Sequence, residues 1–95
     1  MILSKDKLYY AKFHYSTEID NLSIEMYFYV NELKNDGKDL KAVCNDTPFI
    51  IKGINGVSLG RENIEFFADT CKWKNLEEIK EVPKGVYKLD SFLLH

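Results

Sequence analysis

Leu22-Ser23-Ile24-Glu25-Met26-Tyr27-Phe28-Tyr29-Val30-Asn31 is the stretch on which the fold turns. Leu22, Ile24, Met26, Phe28 and Val30 fall on one side of an extended chain, and Ser23, Glu25, Tyr27, Tyr29 and Asn31 on the other. Successive side chains of a strand point to opposite faces, so strict alternation with every aliphatic residue on one side predicts a strand with one buried face. Upstream, Leu8–Ser16 alternates more loosely, with Tyr9, Ala11, Phe13 and Tyr15 on one side and Leu8, Tyr10, Lys12 and His14 on the other. Between the two lies Glu18-Ile19-Asp20-Asn21, which has the composition of a turn. An antiparallel hairpin follows. A four-residue loop at that position sets Phe13 opposite Met26, Tyr15 opposite Ile24, Ala11 opposite Phe28 and Tyr9 opposite Val30, four apolar pairs suited to a core. On the other side it sets His14 opposite Glu25, Lys12 opposite Tyr27 and Tyr10 opposite Tyr29. A one-residue slip would mix the two faces, so parity is fixed more tightly than register.

The rest of the chain reads as further short strands. Asn35-Asp36-Gly37 signals a turn, and Leu40–Cys44 a short strand ended by Asn45-Asp46-Thr47-Pro48. Phe49–Ile54 and Val57–Leu59 flank Asn55-Gly56, a dipeptide favoured in tight hairpins. Ile64–Trp73 carries both strand and helix spacing, and its adjacent aromatics tip it toward strand. Asn75, with Glu78 three residues on, can cap a short helix over 75–82 whose stripe is Leu76, Ile79 and Val82. A hairpin turn at Pro83-Lys84-Gly85 is the alternative, and Val86–Phe92 reads as a last strand. The expectation is a mainly β single domain over residues 1–95. It is an antiparallel sheet of five to seven strands, curled into a barrel or roll to limit open edges, with at most one short helix near 75–82.

Composition narrows the function classes. The chain has 95 residues, 45% hydrophobic and 14% aromatic, enough for a core and too apolar for disorder. Fifteen acidic against thirteen basic residues give a net charge of −2, too balanced to steer the protein to a nucleic-acid backbone or an anionic membrane. Arg61 is the only arginine, which counts against base-specific readout; an AT-rich coding sequence gives the same skew toward Lys, Asn and Ile. No apolar stretch resembles a signal peptide or a membrane span, so a cytoplasmic location is expected.

No constellation for catalysis stands out, and no enzyme activity or cofactor is expected. His14 facing Glu25 could act as a general base, but neither a nucleophile nor a pocket is implied beside it, and a cross-strand polar pair accounts for both. Cys44 and Cys71 form no CxxC pair and are expected to be packed, inert thiols. With His14 and His95 they lack the short spacings of a zinc site, so no metal is expected. Gly53, Gly56 and Gly60 match no phosphate-binding loop.

What remains is the outward face of the first hairpin, where Tyr10, Tyr27 and Tyr29 stand among Lys12, His14 and Glu25. Exposed tyrosines offer rigid contact area with a hydroxyl tip and suit a protein partner. They can also stack single-stranded bases, a use that Glu25 and the shortage of arginine weigh against. The plainer reading is that another layer covers this face. The expected function is therefore a small intracellular protein-binding module, of the kind that inhibits or assists a larger enzyme. Anti-defence proteins of phages and mobile elements are one such class, suggested by size and composition alone. The alternatives are a single-strand nucleic-acid binder and a small-ligand-binding domain.

Overall fold

In the computed structural model, residues 1–83 are described. The chain runs through β1 (Leu8–Ser16), β2 (Asn21–Tyr29), β3 (Glu32–Asp36), β4 (Asp39–Gly53), β5 (Gly56–Phe67) and β6 (Leu76–Glu81), with one 3-10 turn at Thr70–Lys72. All pairings are antiparallel. The sheet order is β3-β4-β2-β1-β6, and β5 lies along the other edge of β4. The molecule is thus mainly β with a six-stranded antiparallel sheet, as the alternation demanded. Among the described residues the sheet is open and not closed into the expected barrel: β5 and β6 are not hydrogen-bonded to each other. Trp73, in the connection between them, stacks on Phe13 of β1 at 5.7 Å and meets the ring of Phe66 of β5 at a tilt, 4.7 Å away.

The first hairpin keeps the expected parity and shifts in register by two. Phe13 faces Ile24, Ala11 faces Met26 and Tyr9 faces Phe28. The loop is Thr17–Asp20 and not Glu18–Asn21, because the Thr17 hydroxyl accepts from the Asp20 N–H at 3.0 Å and donates to its carbonyl at 3.0 Å. That side-chain clasp closes the turn one residue early at each end.

Two long-range features were read differently from sequence. The strand expected to end at Asn45-Asp46-Thr47-Pro48 continues through it. Asp46 adopts a left-handed φ of 51°, and the register with β5 shifts between Cys44 and Thr47. Asn63 Oδ1 takes the Asp46 N–H at 2.9 Å. This is a β-bulge, and it reverses parity, so Ala42 and Cys44 before it and Phe49 and Ile51 after it all face inward. Pro48 lies just beyond Met26↔Phe49, the last pair between β2 and β4; without an N–H it cannot prolong that ladder.

The second is 75–82, which forms strand β6 on the outer edge of β1 and no helix. Its register shifts between Lys12↔Glu78 and Phe13↔Leu76, leaving Glu77 as an extra residue. Leu76 and Ile79 therefore pack on the same core face at a spacing of three. The bulge imitates helical periodicity. Ile64–Trp73 is strand as far as Phe67 and then enters the 3-10 turn, whose N-cap Asp69 accepts from Cys71 N–H. Sequence analysis missed β3, which pairs with the first half of β4 through the turn at Gly37-Lys38. The expected strand Val86–Phe92 lies outside the described residues.

The core is built on one side of the sheet from Leu3, Tyr9, Ala11, Phe13, Met26, Phe28, Val30, Ala42 and Cys44. Tyr9, Phe28, Phe66, Trp73 and Phe13 form a chain of ring contacts between 4.7 and 5.9 Å. Offset and tilted contacts of this kind add to the burial of the rings.

Candidate functional site

The outer side of the sheet begins with the tyrosines. Tyr10 and Tyr27 are directly opposed, with ring centroids 5.2 Å apart. The Tyr10 hydroxyl donates to Glu25 Oε1 at 2.7 Å, and Lys52 Nζ approaches Glu25 Oε2 at 3.5 Å. Lys80, on β6, lies over the Tyr10 ring at 5.2 Å. Half-burial, followed by the bond to Glu25, pushes the Tyr10 phenol far above its ordinary range. Both carboxylate oxygens of Glu25 are thus engaged, one by Tyr10 and the other by Lys52.

Lys12 faces Glu25 and reaches Glu77 at 4.0 Å. His14 is exposed and faces Ser23, so the His14–Glu25 pair expected from sequence does not form; the two-residue register shift gives Glu25 to Lys12 instead. Tyr29 is 38% exposed and donates to Asp6 Oδ1 at 3.0 Å, and it faces Leu8 in place of Tyr10. Tyr10, Lys12, Glu25 and Tyr27 thus form one connected group, with His14 and Tyr29 at its two ends along the hairpin.

The same face continues across β4 and β5, where sequence reasoning placed nothing. Residues opposed across antiparallel strands share a side. Glu25 faces Ile50 and Ile50 faces Leu59; Ser23 faces Lys52 and Lys52 faces Val57. Ile50 is buried, yet Val57 and Leu59 are 55% and 51% exposed. Large aliphatic residues outside, with Ser58 and Gly60 inside, invert the usual pattern. The cause is Phe49: its ring lies over Gly60, where an added Cβ would fall 2.5 Å from Cζ. Beyond Val57, the tips of the two hairpins are tied by the Ile54 N–H donating to Asp20 Oδ1 at 3.0 Å, and they expose Ile19 and Ile54.

On the inner side the open sheet leaves an apolar hollow of about 490 Å³, lined chiefly by Phe13, Ile24, Met26, Ile64, Phe66 and Trp73, with Lys72 and Lys74 among its lining residues. Of the cysteines, Cys44 is buried and its thiol is pushed up to about 12 by that burial. Cys71 is exposed, contrary to the expectation of a packed thiol, because the 3-10 turn carries it outward. Among the described residues no three His, Cys, Asp or Glu side chains converge as metal ligands would, and no helix is long and apolar enough to cross a membrane.

Compared with known protein families, with curated proteins and with solved structures, the chain has no match in any of the three.

Proposed function

We propose that this protein is a protein-binding module that docks through the outer side of β1, β2, β4 and β5. The observation that carries this reading is the exposure of Val57 and Leu59 on the same sheet face as Tyr10 and Tyr27. Apolar area left in water is unfavourable by about 25 cal/mol per Å², so two exposed aliphatics side by side on the tyrosine face favour a partner that covers them. The polar centre made by Tyr10, Glu25 and Lys52 is already paired, so a partner can cover it without leaving a charge unsatisfied. Tyr27 and Tyr29 supply the aromatic anchors at one end, and Leu59 the aliphatic anchor at the other. A role as inhibitor or accessory factor of a larger enzyme, of the anti-defence type, is the finer form of this proposal and rests on size and composition.

The test compares wild-type chain with two variants, Tyr27→Ala/Tyr29→Ala and Leu59→Ser, in affinity purification from the native host followed by reconstitution with the purified partner. Both variants should keep the native circular dichroism spectrum and lose the partner. Retention of the partner by both would overturn the reading. Salt-sensitive binding to single-stranded oligonucleotides, abolished by Tyr27→Ala, would instead support the nucleic-acid alternative. The inner hollow favours the small-ligand alternative, and a ligand retained through purification and lost on Trp73→Ala would support that.

A further inference from the structure

We infer that the second edge of β5, which no strand among the described residues occupies, pairs antiparallel with β5 of a second copy of this chain, about a two-fold axis at Asn63. The pairing runs through the backbone edge of β5, whose outer face also carries Val57 and Leu59, and neither of those two is altered in the variants below.

An edge strand presents a row of unpaired N–H and C=O groups, which proteins usually blunt with short length, lysine, proline or a bulge. Two of the edges here are blunted. β3 is five residues long and carries Glu32, Lys34 and Asp36. β6 is six residues long and carries Glu77, Glu78, Lys80 and Glu81. β5 runs twelve residues, Gly56–Phe67, with no lysine and no proline, and the bulge beside it belongs to β4. Among the described residues no strand pairs with its second edge.

The hydrogen-bonding direction along β5 follows from its hairpin. Gly53 and Gly56 close a two-residue turn, so the even-numbered residues of β5 point their backbone groups at β4 and the odd-numbered ones point away. The Phe67 carbonyl, which accepts from Trp73 Nε1 at 2.8 Å, agrees with that assignment. Opposed residues in an antiparallel pair are both hydrogen-bonded or both not, so a symmetric pairing must set odd against odd. Centring it on Arg61 opposes two arginines, and centring it on Glu62 or Glu65 opposes two glutamates. Centring it on Asn63 sets Arg61 opposite the second copy's Glu65 twice over, and Asn63 opposite itself. Three narrow pairs then form, worth about six backbone hydrogen bonds. Arg61 and Glu65 now hold Asp46 at 3.1 Å and Lys34 at 2.6 Å, pairs exposed enough to be shared or exchanged.

The experiment is sedimentation of the full chain over a wide concentration range. The wild type should reach a two-chain species. Arg61→Glu and Glu65→Arg, each placing like charges opposite one another twice, should each weaken association roughly tenfold. The double variant carrying both substitutions should restore it. Arg61→Pro removes an N–H aimed at the second copy and should give a monomer with native circular dichroism. The proposal is overturned by a wild type that stays single-chain throughout. Single reversals that associate like wild type, or a double variant no better than the singles, would overturn it equally.

Discussion

Tyr10 shows how one hydroxyl ties the outer face to the stability of the fold. Its neutral phenol is favoured first by burial, then by the hydrogen bond to Glu25, then by the charges of Glu25 and Glu78. A tyrosine whose folded-state value is raised contributes stability that is complete below the unfolded value of about 10. That contribution is lost as the pH climbs above it, because the unfolded chain then releases the proton more readily. The melting midpoint of the wild type should therefore fall between pH 9 and 11 more steeply than that of Tyr10→Phe. At neutral pH the same substitution should cost about 1 kcal/mol in urea unfolding, the value of one hydrogen bond to a carboxylate that remains partly solvated. Parallel pH profiles for the two proteins would remove Tyr10 from this role.

At the scale of elements, the close approach of Phe49 to Gly60 is the point most sensitive to one added carbon. The Cβ of Gly60→Ala would lie 2.5 Å from Phe49 Cζ and 3.0 Å from Cε1 and Cε2, so the ring must leave its place. Overpacking of this kind costs about 1–3 kcal/mol, and urea denaturation should show that loss. Phe49→Leu in the Gly60→Ala background should recover part of it. The same pair explains what was legible in the sequence. Leu22–Val30 declared its two faces because nothing interrupts its alternation, which placed Tyr27 and Tyr29 outward; Tyr10 came from the looser alternation of Leu8–Ser16, and its partner across the hairpin was misjudged by two residues. Val57 and Leu59 stayed hidden because their outward position depends on a ring that crosses from the neighbouring strand. Leu76 and Ile79 were misread for a related reason: an extra residue at Glu77 turns a spacing of two into three, the spacing of a helix. Local pattern reports an element's faces only while its register is unbroken.

For the molecule as a whole, the residues before β1 act as a strap across the open sheet. Leu3 is 1% exposed in the core, and its N–H donates to the Ala68 carbonyl at 2.8 Å. Ile2 bridges Asp69, and the Met1 carbonyl receives both the N–H and the hydroxyl of Thr70. The strap holds the exit of β5 against a core that β1 and β2 otherwise supply. Leu3→Ala should cost about 2–4 kcal/mol. Emission from Trp73, the only tryptophan and packed among Phe13, Phe28 and Phe66, should report the loss as an earlier red shift in urea. An unchanged transition would mean that the strap is ornamental.

The bulge at Asn45–Asp46 works on β4 as a shift of reading frame works on a message. Everything downstream, from Thr47 to Gly53, keeps its meaning only because one surplus residue has been counted in. Flattening the bulge while keeping that residue would swap Phe49 and Ile51 for Ile50 and Lys52 on the inner side, an error no single side-chain change could correct. Descendants of this sequence are therefore free to lengthen the hairpin tip at Ile54–Asn55 or to shed the surplus residue together with its bulge, but a residue lost between Thr47 and Gly53 must be regained a few positions on.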